Sequence, residues 1–112
     1  MKPFFEDSRG KLFTLNINKK EYLLLETNKG FKRGGDYHQS IQHDVVLKGE
    51  IIFYYRIDNE EKKVKMQEGD SISFPENVPH YLESITDSLV LEWLEGNFEK
   101  QYDKVYRAIV EE

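Results

Sequence analysis

The chain has 112 residues, 33% charged and 38% apolar, with a formal charge of −5 and a pI near 5.3. That length supports one domain with its own core, and the acidic balance argues against non-specific nucleic-acid binding, which needs a basic surface. With no cysteine there is neither a disulfide framework nor a thiolate metal site.

Met1-Lys-Pro-Phe-Phe-Glu-Asp lacks the apolar centre of a signal peptide, and no run reaches the length of a membrane span. A cytoplasmic protein with no membrane partner is expected. Asp7-Ser8-Arg9-Gly10 reads as a turn, followed by a strand over residues 11–17. A second strand over 21–27 ends in Asn28-Lys29-Gly30, residues that accept positive φ. After a polar stretch, residues 44–48 form a strand up to a turn at Gly49-Glu50. Residues 51–57, rich in β-branched and aromatic side chains, form the next. Asp58 to Glu61 is a hairpin tip, and 62–67 an alternating strand. Glu68-Gly69-Asp70 turns the chain into 71–75, and strands over 81–85 and 89–94 follow. Short strands at this density predict an all-β sandwich or barrel. Trp93 reads as a core residue. Phe98, Tyr102, Val105, Tyr106 and Ile109 share one helical face, so a helix is predicted over 98–110, capped by Asn97 and lying across a sheet.

The polar stretch carries the chemistry. Side chains at i and i+2 of a strand share a face. Asp36 and His38 therefore point the same way, and Gln42 joins them if the strand runs on. His80 arrives from another strand, held extended by Pro79. His43 is out of phase with Gln42 and belongs on the opposite face, exposed or in an interface, unless a bulge at Gln39-Ser40 turns it inward. Arg33 precedes Gly34-Gly35. It is either a surface residue or a bidentate binder of phosphate or carboxylate, with the glycines letting a ligand approach the backbone. Tyr37, Tyr54, Tyr55 and Tyr81 either rim a pocket or are half-buried strand residues.

Gly30, Asp36, His38, Gln42 and Gly49 fall on the spacing of the first cupin motif, and Gly69, Pro75, Asn77, His80 and Ser84 on that of the second. The chain thus resembles the cupins. The resemblance implies a jelly-roll β-barrel or sandwich with a short C-terminal helix. It implies one domain, 1–112, with motif one at 30–49 and motif two at 69–84. Asp36 stands where the motif has its first His, Gln42 where it has Glu, Asn77 where it has Gly, and Ser84 where it has Asn.

The resemblance also implies a metal site of Asp36, His38 and His80. One carboxylate and two imidazoles suit divalent Zn, Ni, Mn or Fe. Gln42 either adds a neutral oxygen or hydrogen-bonds the ligands from behind. The alternative is a pocket that keeps its histidines for a substrate alone. Asp7-Ser-Arg-Gly10-Lys-Leu, Arg33-Gly34-Gly35-x-x-His38 and Phe98-Glu-Lys-Gln-Tyr102-Asp103-Lys-Val-Tyr106-Arg107 look like the metal-independent nucleotide-sugar 3,4-ketoisomerases and their WxcM-like relatives.

That likeness implies a sugar or nucleotide-sugar ligand, contacted by Arg33, Gly35, Tyr37 and Gln42, and an isomerase or epimerase reaction. His38 would be the base, Asp36 would set its tautomer, and His80 would be the acid. Any metal would act as a Lewis acid. A non-catalytic binding or sensor module and a metal-dependent dioxygenase are the rival readings. Sheet edges that need cover, and the apolar Phe4, Phe5 and Phe13, predict a twofold homodimer.

Overall fold

The computed structural model describes residues 1–96 and 99–111. Their strands are β1 (Phe5–Asp7), β2 (Gly10–Ile17), β3 (Lys20–Thr27), β4 (Lys32–Tyr37), β5 (Gln42–Lys48) and β6 (Glu50–Ile57). There follow β7 (Glu60–Gln67), β8 (Ser71–Phe74), β9 (His80–Ser84), β10 (Ser88–Leu94), β11 (Gln101–Tyr102) and one helix, α1 (Lys104–Val110). Two antiparallel sheets result, one of six strands in the order β1-β2-β3-β10-β5-β8, one of five in the order β11-β4-β9-β6-β7. The fold is an all-β jelly roll with a short C-terminal helix. No described helix is long and apolar enough to cross a membrane.

Local chemistry explains the hairpins. Asn18-Lys19 and Asp58-Asn59 join β2 to β3 and β6 to β7, and all four residues have positive φ, 51° to 66°. Two consecutive positive-φ residues make the turn whose twist matches paired strands, and Asn and Asp tolerate it. Alternation then sends one face of each strand inward. Leu25, Val46, Phe74 and Val90 of the six-stranded sheet meet Ile51, Phe53, Met66 and Leu82 of the other. Phe53 and Phe74 touch edge to face with ring centroids 5.1 Å apart. Burying each such side chain stabilises the fold by about 1.5–3 kcal/mol.

The C-terminal segment differs from the sequence prediction. Asn97 and Phe98 lie outside the described residues. The helix begins at Lys104, and its N-cap is Asp103, whose side chain accepts a hydrogen bond from the Tyr106 N–H. Gln101 and Tyr102 instead add a short strand to the edge of β4, opposite Tyr37 and Asp36. The backbone N–H of Asp103 donates to the Gly35 carbonyl at 2.8 Å, which ends the pairing. Helical phase is therefore set from Asp103. Tyr106 and Val110 are buried against Tyr81, whereas Val105, expected on the packed face, is 61% exposed.

A bulge in β4 lets the helix come this close. Gly34 pairs with Tyr81 and Asp36 with His80, so Gly35 is the extra residue. It has φ +83°, and a Cβ there would stand 3.0 Å from the backbone nitrogen of Arg107. Trp93 is also displaced from its expected place in the core. It lies on the outer face of the six-stranded sheet, against Tyr22 at 5.5 Å and stacked on His43 at 5.2 Å.

Candidate metal centre

A cavity of about 540 Å³ opens between the sheets, with Asp36, His38 and His80 on its wall. Asp36 ends the bulged part of β4, and the bulge aims it across the register at His80. His38 follows β4, and its carbonyl accepts from the Asn77 N–H, which ties the two motif segments together. Strand parity thus holds for Asp36 and His38.

The histidine tautomers follow from their partners. Nδ1 of His38 donates to the Glu99 carbonyl, and Nδ1 of His80 to the Val78 carbonyl, each at 2.9 Å. A carbonyl only accepts, so both Nδ1 atoms carry the proton and both Nε2 atoms keep a lone pair. The expectation that Asp36 sets the His38 tautomer is corrected: the backbone does it, from the far side of the ring. Asp36 instead faces the free nitrogens, with Oδ1 3.9 Å from His38 Nε2 and 3.4 Å from His80 Nε2.

One donor atom from each residue lies within 4.8 Å of the others. Burial pulls the His80 imidazole below its usual pKa against the opposing pull of Asp36. It is neutral at neutral pH, which suits a ligand or a base rather than the acid expected of it. Two imidazole Nε2 atoms and a carboxylate oxygen, converging without hydrogen bonds to one another, fit a divalent ion.

Gln42 sits elsewhere. The strand does not run on past His38, because β5 belongs to the other sheet. Its Nε2 donates to Asp44 Oδ2 at 2.7 Å and Glu92 Oε1 at 3.1 Å. Its Oε1 and the Asp44 Oδ1 are buried with no partner among the described residues. Asp44 and Glu92 face each other across β5 and β10. Burial, ahead of every other cause, pushes the Asp44 carboxyl up to about 6 and holds Glu92 well above the usual carboxylate range, where the neighbouring acid raises it further. Glu92 lines the same cavity as the two histidines. Sequence reading missed this acid pair. The sign was an acid at an inward-facing position of each apolar run, Asp44-Val-Val-Leu and Leu89-Val-Leu-Glu92-Trp-Leu.

Arg33 is not at the surface: it is 4% exposed and lines the cavity. Its Nε donates to Thr27 Oγ1 at 2.9 Å and its Nη2 to the Glu26 carbonyl at 3.1 Å. No described carboxylate pairs with it. Burial lowers its pKa to about 10, which leaves it charged at neutral pH. Gly35 makes room for α1 rather than for a ligand, as its contact with Arg107 shows. Tyr37 pairs with Gln101 on the β4 edge and is not among the cavity-lining residues. Tyr54 stacks on Tyr81 at 4.6 Å near the helix, and Tyr55 packs against the core. Ser84 is buried and shares a hydrogen bond with Ser88 Oγ, at 2.6 Å. His43 is on the outer face, as its parity predicts, with Ser73 Oγ and Glu95 Oε2 at 2.7 and 2.9 Å.

Residues 23–96 match the family model of the cupin domain, and the chain belongs to the cupin family. No curated protein matches the sequence. Among solved structures, oxalate decarboxylase of Bacillus subtilis, studied for its Mn(II) centres, superposes with a TM-score of 0.78 at 18% identity, covering 91% of this chain and 30% of that one. The formate complex of Lactobacillus farciminis oxalate decarboxylase gives 0.79 at 19%, covering 96% and 35%. CapF with the inhibitor 3-isopropenyl-tropolone gives 0.71 at 15%, covering 86% and 32%. The chain thus spans about a third of the length of these proteins, and the likeness is one of fold.

Proposed function

We propose that this protein binds a small polar ligand with an anionic group, a sugar or nucleotide sugar, beside a divalent metal, and isomerises or epimerises it. The observation that carries the reading is the convergence of Asp36 Oδ1 with the free Nε2 atoms of His38 and His80 on one cavity wall. Asp36, His38 and His80 would hold the ion, and Mn, Fe, Ni and Zn all suit the donor set. When bound, the ion supplies Lewis acidity to a ligand oxygen.

The remaining steps belong to the chain. Arg33, buried and without a carboxylate partner, offers its remaining N–H groups to phosphate or carboxylate. Phe4, Phe5 and Tyr102 at the cavity give apolar walls to the rest of the ligand. With both imidazoles engaged as ligands, the group that takes and returns a proton at the ligand carbon is Glu92, once its own proton has passed to the neighbouring Asp44 carboxylate. Fixing the ligand between Arg33 and the ion sets which carbon faces that carboxyl.

The test is metal analysis of protein purified from medium with mixed divalent metals, then titration of metal-stripped protein. One metal should be retained near one per chain, and His80→Ala should weaken its binding by at least about 100-fold, beyond the usual effect of losing an outer partner. A thermal-shift screen of nucleoside diphosphates and nucleotide sugars should give stabilisation that Arg33→Met removes without changing metal content. No retained metal, and no change in melting temperature with Mn(II), Ni(II) or Zn(II), would overturn the metal reading. Ligand binding without turnover would make the protein a binding module.

A further inference from the structure

We infer that the C-terminal segment, residues 99–111, is a strap that positions the metal ligands and whose docking is linked to occupancy of their site, a role that rests on the metal reading of Asp36, His38 and His80. Two runs of chain match one another here. Each residue from Gly34 to His38 has a partner in the strap, taken in reverse order. The Gly34 carbonyl accepts from Arg107 Nη1 at 2.8 Å. The Gly35 carbonyl accepts from the Asp103 N–H, also at 2.8 Å. Asp36 pairs with Tyr102, and Tyr37 with Gln101. His38 Nδ1 donates to the Glu99 carbonyl at 2.9 Å, from 61 residues further along the chain.

His80 shows what the strap adds. Its Nδ1 donates to the Val78 carbonyl, two residues away in its own segment, so this imidazole has its tautomer set locally. His38 does not. Without Glu99 its ring is free to carry the proton on Nε2, and the lone pair beside Asp36 Oδ1 is then lost. Asp36 depends on the strap in another way. It follows the bulge at Gly35, and the backbone of that bulge is what the Asp103 N–H and Arg107 hold.

The strap has a fastened half and a loose half. Tyr106 and Val110 of α1 are buried against Tyr81, and Arg56 holds Asp103. Residues 99–102 are exposed at every position, and β11 is a two-residue strand at the sheet edge. A segment that buries so little apolar surface opens locally at less cost than the whole fold. Lys100 and Tyr102 also line the cavity, so the opening that frees His38 Nδ1 removes part of the cavity wall. An ion on Asp36 and His38 favours the docked strap, and the docked strap favours the ion by the same factor.

Metal-free protein is measured first, which separates the strap from the ion. Imidazole nitrogen NMR shifts should show His38 and His80 both protonated at Nδ1. Asp103→Pro and Asp103→Ala both lose the helix cap and the ion pair with Arg56, but only the proline also loses the N–H that holds Gly35. In the proline variant His38 should move toward the Nε2–H form while His80 stays unchanged; in the alanine variant neither should move. Zn(II) should bind the proline variant at least about 10-fold more weakly than the alanine variant, and should slow exchange of the Asp103 amide in wild-type protein. If the proline variant does not fold, Arg107→Met takes its place against wild type, since it removes the donor to Gly34 and keeps a stem to pack on Gly35. A wild-type His38 protonated at Nε2, or equal tautomers and equal Zn(II) affinities in the compared proteins, would overturn the inference. Protein that takes up no Zn(II) overturns the metal reading and the linkage with it, while the His38 tautomers still decide whether the strap positions that ring.

Discussion

Helix α1 covers the outer face of the five-stranded sheet, where Tyr106 and Val110 pack on Tyr81. Nothing among the described residues covers the outer face of the six-stranded sheet, where Phe13, Leu24, Leu91 and Trp93 lie. The inner faces differ as well. The covered sheet supplies Asp36, His38 and His80, whose Oδ1 and Nε2 atoms meet no hydrogen-bond donor among the described residues. The uncovered sheet supplies Gln42, Asp44 and Glu92, which bond chiefly to one another. The covered sheet is clamped from behind by the helix, so its polar atoms can be held in place without bonding one another. On the other sheet two acids must share the donors near them, and two oxygens, Gln42 Oε1 and Asp44 Oδ1, go without a partner among the described residues.

The comparison breaks most sharply at Gly35. An alanine there meets Arg107 Cδ at 2.9 Å and the Arg107 backbone at 3.0–3.1 Å, in a backbone conformation with φ +83°. Strain and overpacking each cost about 1–3 kcal/mol, so Gly35→Ala should lose about 3 kcal/mol. Thermal unfolding should show a drop of roughly 10 °C. The proposed metal binding should weaken too, because Asp36 is the next residue. An unchanged melting temperature would mean that α1 is not what holds β4 in its bulged form.

Much of this division was legible in the sequence. Alternation gave Asp36 and His38 a common face, the second motif gave His80, and parity put His43 outside. Three things were not legible, each for a physical reason. The end of a strand depends on which partner its backbone finds, so nothing local showed that the chain changes sheets between His38 and Gln42. A helical period in 98–110 overlooked Asp103, because a cap competes with an apolar face and wins only when tertiary contacts, here Gly35 and Arg56, hold it. Trp93 in an apolar strand reads as core from either face; only the register tells which face is covered.

The acid pair gives a second, smaller test of the inner faces. Asp44 titrates near 6 in the fold because burial disfavours its charge. A carboxyl raised above its unfolded value stabilises the fold fully below about pH 4, and that contribution is lost as pH rises through about 6. Metal-free wild-type protein should therefore lose stability between pH 4 and 7 from this pair. Asp44→Asn keeps the acceptor for Gln42 and adds a donor for Glu92. It should be more stable than wild type at pH 7.5, by about 2 kcal/mol, and no more stable at pH 4. Chemical denaturation at the two pH values measures it. A destabilised Asp44→Asn at pH 7.5 would mean that the carboxylate is compensated by a cation instead of a proton.

The smallest effect is expected where the helix is fastened. Asp103 accepts from the Tyr106 N–H and forms two hydrogen bonds with Arg56, at 2.5 and 3.3 Å, while the Arg56 guanidinium lies 5.0 Å from the Tyr106 ring. Burial pushes its carboxyl up, but Arg56 and the Tyr106 N–H together outweigh that and leave it below the usual range. A lowered pKa means a contribution present above the unfolded value and lost as pH falls through the folded one. Asp103→Ala removes cap and ion pair and should cost about 1–2 kcal/mol at pH 7. Asp103→Asn keeps the cap, since Asn caps as well as Asp, and should cost about half as much. Amide exchange at Tyr106 separates the two: it should quicken in the alanine variant and stay near wild type in the asparagine one. Below the carboxylate range the stabilities of wild type and Asp103→Asn should converge. If both variants lose α1 protection equally, the ion pair with Arg56, not the cap, holds the helix on its sheet.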